Sequence, residues 1–216
     1  MAAEAGLRSR KKQQTRHLIF ESARRLFAER GFDSVSVASV ARAADVSEVT
    51  VFNYFPTKED LFYGGMAFFE EELLDAVRRR LRGESVLAAF RRAVLDSSDR
   101  LTSRHSGEAV ARAAKVIGAS PSLVAREREI VERYTRQLGE LLAEETGAAK
   151  DDVEPLGAAG ALMGVHRALV DYRRKRVLAG ERGSRLSRNF RSQAVAAFAL
   201  LEMGLAAYAI KSFDAG

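Results

Sequence analysis

Apolar residues recur at spacings of three and four along nearly the whole chain, and this helical period restricts the possible fold more than any other feature. Ser34–Val40 alternates briefly like a half-buried strand, but the segments on either side have the helical period. Prolines interrupt the pattern at only three positions, 56, 121 and 155. We therefore predict an all-α fold.

Capping residues and glycines divide this pattern into helices. Gly31 is placed to end the first helix, and Ser36 and Ser47 are placed to cap the two short helices that follow it. Pro56 ends the second short helix, because the residue before a proline avoids helical geometry. The predicted helices cover residues 13–30, 36–44, 47–55, 57–82, 85–104, 108–118, 121–146, 153–179 and 186–212.

Residues 36–55 form a helix-turn-helix pattern, in which two short helices are joined by a tight turn at Asp45 and Val46. The second helix of such a motif can enter the major groove of DNA, which is about 12 Å wide. Six of its residues are expected to face outward: Glu48, Val49, Thr50, Phe52, Asn53 and Tyr54. For Phe52, as for Phe55, a place in the core or at a helix junction is the alternative to a base contact.

A basic segment precedes this motif. Within nine residues it contains Arg8, Arg10, Lys11, Lys12 and Arg16, and no acid. As a flexible arm it could follow the DNA backbone or enter the minor groove, and a solubilising tail is the alternative. The net charge of +6 over 216 residues is a weaker argument. Residues 1–60 carry ten Lys and Arg against eight Asp and Glu, so the arm alone is strongly basic.

Three blocks of sequence follow one another in the first quarter to third of the chain: Ala23–Phe32 (ARRLFAERGF), Ser36–Ala41 (SVASVA) and Val46–Leu61 (VSEVTVFNYFPTKEDL). In this order they resemble the tetracycline-repressor-like (TetR) family of one-component transcriptional regulators. The resemblance implies a homodimer with two N-terminal DNA-binding heads. It also implies C-terminal helical domains that dimerise and bind a small ligand.

The resemblance further implies roles for single residues. Ser36 matches the cap and phosphate contact at the start of the second helix of the family's DNA-binding domain. Tyr54 and Lys58 match phosphate contacts that follow the recognition helix, and Ser47–Asn53 matches the base-reading stretch. The expected partner is therefore a double-stranded DNA operator.

Two positions depart from the family pattern, because many relatives have glycine at the position of Val49 and a basic or polar residue at that of Glu48. Glu48 can accept a hydrogen bond from cytosine N4 or point away from the DNA. On these grounds the chain divides into residues 1–56, the helix-turn-helix domain with its flexible basic arm, and residues 57–216, the ligand-binding and dimerisation domain.

The larger domain is expected to hold a small, largely apolar effector that releases a repressor from a palindromic operator. The candidate lining residues are Phe62, Met66, Phe69, Phe90, Tyr134, Met163, His166 and Tyr172. Core packing explains most of them equally well, and His166 can be a hydrogen-bonded core histidine. The fourth predicted helix is expected to carry the signal from the body of the protein to the DNA-binding head.

The last two predicted helices are expected to form the homodimer interface as a four-helix arrangement. The first of them is rich in small residues between Gly157 and Gly164, and the run Ala194–Ile210 is almost wholly apolar. Burial within one subunit is the alternative. No membrane partner is expected, because this run is short for a membrane span and contains Glu202.

Other classes of protein fit the sequence less well. The absence of cysteine excludes disulfides, thiolate metal sites and cysteine nucleophiles. No apolar segment of the kind a signal peptide requires follows the basic N-terminal residues, so a cytoplasmic location is expected. His17, His105 and His166 are far apart, and no metal-ligand pair, phosphate loop or nucleophile elbow occurs. We expect no enzyme activity, cofactor or metal; a helical enzyme or a non-DNA interaction protein is the alternative.

Overall fold

The computed structural model describes residues 2–64, 67–98 and 104–205. Within these ranges the chain forms ten α-helices and no strand, which confirms the all-α prediction. The helices are α1 Ala2–Arg30, α2 Val37–Ala43, α3 Glu48–Tyr54, α4 Lys58–Tyr63, α5 Ala67–Arg78, α6 Val86–Ser97, α7 Arg104–Ala119, α8 Pro121–Thr146, α9 Glu154–Leu178 and α10 Gly183–Leu205. Across the described ranges, the helices lack a segment apolar and long enough to cross a bilayer.

The helices belong to two compact units. The first unit, which we call the head, comprises Met1–Phe68 and Val116–Arg126. The second unit, which we call the body, comprises Phe69–Lys115 and Glu127–Gly216. The head is therefore larger than the N-terminal domain expected over residues 1–56, because it takes in α4 and the junction between α7 and α8.

The core of the head is built from the inward faces of α1 to α4. Ile19, Ala23 and Phe27 lie about one turn apart on α1 and are all buried, as the helical period requires. Val40 of α2 and Val51 of α3 are each fully buried. These contacts hold the short helices α2 and α3, which have too few residues to be stable in isolation.

The basic segment before the motif is part of α1. This helix begins at Ala2, so the predicted start at Gln13 and the flexible arm are both wrong for this stretch. The segment contains no proline, and its lysines, arginines and glutamines favour helix. Arg10, Lys11 and Lys12 are exposed, whereas the side chain of Arg8 lies outside the described part. The positive charge is therefore presented on the surface of a helix.

Hydrogen bonds from three side chains join the α7–α8 junction to the rest of the head. Tyr63 Oη donates to Leu123 O (2.9 Å), Ser120 Oγ donates to Asp33 Oδ1 (3.0 Å), and Arg126 Nη2 donates to Asp60 Oδ1 (2.7 Å). Tyr63 is 5% exposed and Leu123 is fully buried, so the first of these bonds lies inside the head. These contacts place the junction in the head even though it is distant in sequence.

The single helix predicted from Thr57 to Arg82 is wrong, because the structure has α4 and α5 in its place. α4 ends at Tyr63, and Gly64 is its C-cap. A Cβ atom on Gly64 would lie 2.6 Å from Cε1 of Phe55 and 2.8 Å from the carbonyl oxygen of Asp60. Glycine is therefore required here by the close approach of the Phe55 ring, and glycine also weakens helix.

The core of the body lies between α6, α9 and α10. Phe90 and Phe198 are fully buried, and their ring centroids are 6.1 Å apart. Elsewhere in the body the guanidinium of Arg80, whose side chain is 1% exposed, pairs with Glu145 and also donates to the carbonyl oxygen of Val77 (2.8 Å). A buried charge that is both paired and hydrogen-bonded satisfies the usual condition for burial.

Candidate nucleic-acid interface

A serine caps each helix of the helix-turn-helix. Ser36 Oγ accepts a hydrogen bond from the Ser39 N–H (3.2 Å), and Ser47 Oγ accepts one from the Thr50 N–H (3.1 Å). Each cap provides a side-chain acceptor for an N–H of the first helical turn, where the backbone donors lack the usual carbonyl partner four residues earlier. Both predicted caps are confirmed, and they fix where α2 and α3 begin.

The turn between α2 and α3 is set by Asp45, whose φ is +53°. Non-glycine residues rarely adopt this left-handed conformation, but aspartate tolerates it. On either side of it, the Ala44 N–H donates to Val40 O and the Val46 N–H donates to Ala41 O, both at 3.0 Å. The turn at Asp45 and Val46 was predicted from the sequence and is confirmed.

The outward side of α3 carries four exposed side chains, those of Glu48, Val49, Phe52 and Asn53. Val51, on the opposite side, is fully buried. At about 100° per residue the four form a continuous arc of about 140°, in the angular order Glu48, Phe52, Val49, Asn53. We call these four residues the outward arc. Thr50 and Tyr54, also expected to face outward, are half-buried.

The two phenylalanines of this region have different environments. Phe55 is 2% exposed and belongs to the core, which was the alternative to a base contact for this residue. Phe52 is 47% exposed, so its interpretation as a core residue is wrong. Phe55 comes four residues, about one helical turn, after the buried Val51, whereas Phe52 follows Val51 directly and lies about 100° further around the helix. The exposed ring of Phe52 is available to a partner of the head.

The hydroxyl groups of Ser47, the N-cap of α3, and of Thr50 are both used at the first turn of this helix. Ser47 Oγ and Thr50 Oγ1 are 2.8 Å apart and share a hydrogen bond, in addition to the backbone cap. At α2, Ser39 Oγ donates to the Ser36 carbonyl oxygen at 2.7 Å. The hydroxyls of Ser36, Ser47 and Thr50 therefore have structural roles, which do not depend on DNA.

Lys58 lies at the start of α4 on the surface of the head. Its Nζ is 4.4 Å from the centre of the Phe32 ring and donates to the Asp33 carbonyl oxygen at 3.4 Å. α4 itself begins with a capping box, in which Thr57 and Asp60 exchange side-chain to backbone hydrogen bonds of 3.1 Å. A cation–π contact of this kind holds the ammonium in one place.

Arg16 has a role that sequence reasoning missed. Its guanidinium carbon is 5.1 Å from the centre of the Phe55 ring, and its Nη2 is 3.5 Å from the Gly64 carbonyl oxygen. Arg16 therefore joins α1 to the segment around α4. The sequence alone assigns it to the basic arm, because it follows Arg10, Lys11 and Lys12. Arg42, exposed in the last turn of α2, is a second cation of the head that charge clustering did not single out.

Three of the proposed effector-binding residues lie near the α4–α5 break. Phe62 belongs to the head, where its ring centroid is 6.1 Å from that of Phe27 and 5.9 Å from that of Phe32. These contacts explain Phe62 as a packing residue of the head. Met66 and the side chain of Phe69 lie outside the described residues.

The other candidates belong to the body. Phe90, Tyr134, Met163 and His166 are buried, and Tyr172 on α9 is half-buried. The His166 ring stands edge-on to Phe90, with centroids 6.4 Å apart. Burial, together with the positive charge of Arg173, lowers the pKa of His166 to about 3. The imidazole is therefore neutral at physiological pH.

A cleft of about 420 Å³ lies in the body between α5 and α8. The residues that line it are Glu71, Leu74, Asp75, Arg78, Arg133, Tyr134 and Gln137. Of the candidate effector-binding residues, the buried Tyr134 lines this cleft, and the guanidinium carbon of Arg133 lies 5.3 Å from its ring centre. The charged lining differs from the apolar pocket that the sequence predicts.

A capped helix pair with a tight turn, whose second helix presents an exposed arc, defines a helix-turn-helix DNA-binding protein. Residues 19–63 match the family model of bacterial regulatory proteins of the tetR family, and residues 84–206 match that of the MftR C-terminal domain. The chain belongs to the TetR family and is a transcriptional regulator, since its relatives are regulators and not enzymes.

One curated relative agrees with this assignment, and two solved structures share the fold. A Mycobacterium tuberculosis protein assigned as a mycofactocin biosynthesis transcriptional regulator, MftR, is 28% identical over 159 residues, which cover 72% of this chain and 78% of the relative. NalD of Pseudomonas aeruginosa, the secondary repressor of the MexAB-OprM multidrug efflux pump, has the same fold (TM-score 0.53, 21% identity, 89% and 98% of the two chains). SmeT, solved in complex with triclosan, shares the fold as well (TM-score 0.55, 13% identity, 88% and 90%).

Proposed function

We propose that this regulator is a repressor that binds a palindromic operator as a homodimer and is released by a small, largely apolar effector. The observation that carries the proposal is the outward arc of α3. Its four side chains face solvent on a helix whose start is fixed by the Ser47 cap and whose inner side is fixed by Val51 and Phe55. A surface of this shape and position suits the major groove.

Contacts with the DNA backbone would position this arc without reading sequence. Ser36, Tyr54 and Lys58 are the proposed phosphate contacts, and the ordered ammonium of Lys58 supports its assignment. Arg42 and the exposed basic surface of α1 add positive charge to the same head. The helical form of that surface favours contact along phosphates over insertion into the minor groove as an extended arm.

Exposed apolar surface on α9 and α10 supports the homodimer. Gly157, Gly160 and Gly164 follow one another at spacings of three and four, and a Cβ on any of them would meet no atom within 4 Å. On α10, Leu200 is 82% exposed and Val195 is 49% exposed. Surfaces of this kind are expected to be covered by a partner, and a two-fold axis pairs the same surface of each subunit.

The interior of the body supports an apolar effector. An effector bound inside the body would meet the buried side chains of Phe90 and Met163 and one polar group, the neutral His166, which is the usual composition of a ligand pocket. Two proteins of this fold support the proposal: SmeT was solved in complex with triclosan, and NalD is a repressor. Release by an effector combines these two properties.

We place the route of the effector signal at the α7–α8 junction. α4 and α5 are separate helices, so one rigid helix from Thr57 to Arg82 cannot transmit the signal as expected. α7 and α8 each contribute residues to both units, and their junction is bonded to the head through Tyr63 and Asp60. A shift of this junction would act directly on α4, which follows the recognition helix.

Selection of duplexes from a random library by the purified protein tests the DNA-binding proposal. A palindromic motif is expected, and fluorescence anisotropy should show that binding to it weakens with salt, because counterions are released. A scrambled duplex of equal length and the region upstream of the protein's own gene are measured in parallel. Failure to enrich any motif at low salt contradicts the proposal.

Sedimentation tests the homodimer. The wild-type protein is expected to be dimeric at micromolar concentration, and both Leu200→Glu and Gly160→Arg should make it monomeric by placing a charge on the exposed apolar surface. Leu81→Glu is the matched control, since Leu81 is 74% exposed and lies elsewhere in the body. A monomeric wild-type protein contradicts the two-headed arrangement.

A further inference from the structure

The centre of the outward arc is apolar, and this points to a particular base contact. We propose that Val49 and Phe52 contact the C5-methyl groups of thymines in each operator half-site, while Glu48 and Asn53 read the base pairs on either side. This inference rests on the proposed DNA-binding function and specifies the bases which that function requires.

Val49 and Phe52 are the two central members of the arc in angular order. Val49 is 69% exposed and Phe52 is 47% exposed, whereas Val51 between them in sequence is fully buried. Residues three apart on a helix are neighbours on its surface, so the two side chains form one apolar patch. Covering this patch would remove apolar surface from water, which favours an apolar partner.

The thymine methyl group is the apolar feature of the major groove, since the other base-edge groups there are hydrogen-bond donors or acceptors. α3, Glu48–Tyr54, contains no lysine or arginine, so the commonest contact with guanine is not available from this helix. The patch and the absence of cations on α3 both favour A·T pairs at the centre of the half-site.

The flanking residues define what lies next to the thymines. The Glu48 carboxylate can only accept hydrogen bonds, so it matches the amino group of cytosine. The Asn53 amide both donates and accepts, so it matches N7 and N6 of adenine. The two residues occupy opposite ends of the arc, and the expected reading is therefore cytosine, thymine methyl groups and adenine across the half-site.

The local structure fixes the position of this patch. Ser47 and Thr50, on either side of Val49 in sequence, bond to one another at 2.8 Å, so their hydroxyls are already engaged beside it. Valine is branched at Cβ and has one strongly preferred rotamer in a helix. The methyl groups of Val49 therefore lose little rotational freedom when they contact a base.

Replacement of thymine by deoxyuridine tests the proposal, because it removes only the methyl group. Each thymine of the selected operator is replaced in turn and binding is measured by anisotropy. At the contacted thymines the wild-type protein should bind about fourfold more weakly per methyl, the size expected for one buried carbon. Val49→Ala should abolish the difference between thymine and deoxyuridine at the thymine that Val49 contacts, and Phe52→Ala should abolish it at the thymine that Phe52 contacts. Leu81→Ala, which removes an exposed apolar side chain of the body, should leave every ratio unchanged.

The outcomes separate the two proposals. If the wild-type protein selects no sequence, the proposed function fails and the inference with it. If it binds a specific operator but tolerates deoxyuridine everywhere, or if both alanine variants keep the full methyl effect, the inference is overturned and DNA binding stands. Thermal unfolding of each variant confirms that the head remains folded, as expected for changes at exposed positions.

Discussion

The carboxylate of Asp60 joins two helices of the head, because Oδ1 accepts a hydrogen bond from Arg126 Nη2 at 2.7 Å and Oδ2 accepts one from the Thr57 N–H at 3.1 Å. The first contact reaches α8 and the second completes the capping box of α4. The side chains of Asp60 and Arg126 are 19% and 23% exposed, so solvent screens the ion pair only in part. One residue thus determines both where α4 begins and what it is attached to.

Asp60→Ala should therefore destabilise the protein more than Arg126→Ala does. We expect losses of about 3 and about 2 kcal/mol respectively, because only the first change also removes the cap. Urea unfolding of both variants and of the double variant measures the coupling. Arg136→Ala is the control, since its pair with Glu132 is exposed and should contribute less than about 0.5 kcal/mol. Equal losses for Arg126→Ala and Arg136→Ala would contradict the structural role.

Gly64→Ala should destabilise the head by about 1–3 kcal/mol, because a Cβ there overlaps the Phe55 ring and the Asp60 carbonyl. Gly118→Ala in α7 is the matched control. A Cβ at Gly118 meets no atom within 4 Å, so alanine there should be neutral or stabilising by up to about 1 kcal/mol. Thermal unfolding distinguishes the two, and a neutral Gly64→Ala would show that the ring can move aside.

Lys58→Gln should weaken binding to all operators about equally, because a phosphate contact carries no sequence information. The slope of log affinity against log salt should fall by about one. Lys150→Gln, an exposed lysine between α8 and α9, is the control and should leave the slope unchanged. Anisotropy titrations over a salt series provide the measurement. A changed motif in the Lys58 variant would mean that this residue reads bases.

Glu48→Gln should change the preference at one base pair of the half-site, by about 1–3 kcal/mol if the carboxylate accepts from cytosine. Glu59→Gln removes the same charge from the first turn of α4 and serves as the control. Selection of duplexes by each variant reports the motif. If both variants retain the wild-type motif, Glu48 points away from the bases.

His166 should make stability depend on pH. The folded protein keeps this residue neutral down to about pH 3, whereas the unfolded chain binds a proton below about 6.5. The unfolded state therefore binds more protons, and stability should fall as the pH is lowered from 6.5 towards 3, by at most about 1.4 kcal/mol per pH unit. Urea unfolding at pH 7 and pH 5 should show a smaller difference for His166→Gln than for the wild type. His17→Gln, at an exposed position, should behave like the wild type.

Features with a local cause were predictable from the sequence. The caps at Ser36 and Ser47 and the turn at Asp45 each depend on residues within one helical turn, and all three are present. α8 has the predicted bounds, Pro121–Thr146, because a proline and a following glycine mark its ends. Glu48, Val49 and Asn53, three of the six residues expected to face outward from α3, are exposed.

Features with a distant cause were not predictable. α4 ends at Tyr63, where the Phe55 ring lies against its C-cap Gly64, whereas the helical period of the sequence continues through this position. Asp60 and Arg126 are 66 residues apart, so no pattern links them. The exposure of Phe52 depends on which side of α3 meets the core, and its residue type favours burial. These three features concern contacts between helices, whereas the helical form of the basic segment at the start of α1 has a local cause and was missed as well.

The four residues of the outward arc are exposed, while the core contacts of α3 are made by Val51 and Phe55. Substitutions within the arc should therefore have small effects on folding, as is usual for surface positions. A lineage of such proteins could acquire a new operator by successive changes at these positions, with no need for compensating changes in the core. The same separation makes the arc a natural starting point for directed evolution of new DNA targets on an unchanged scaffold.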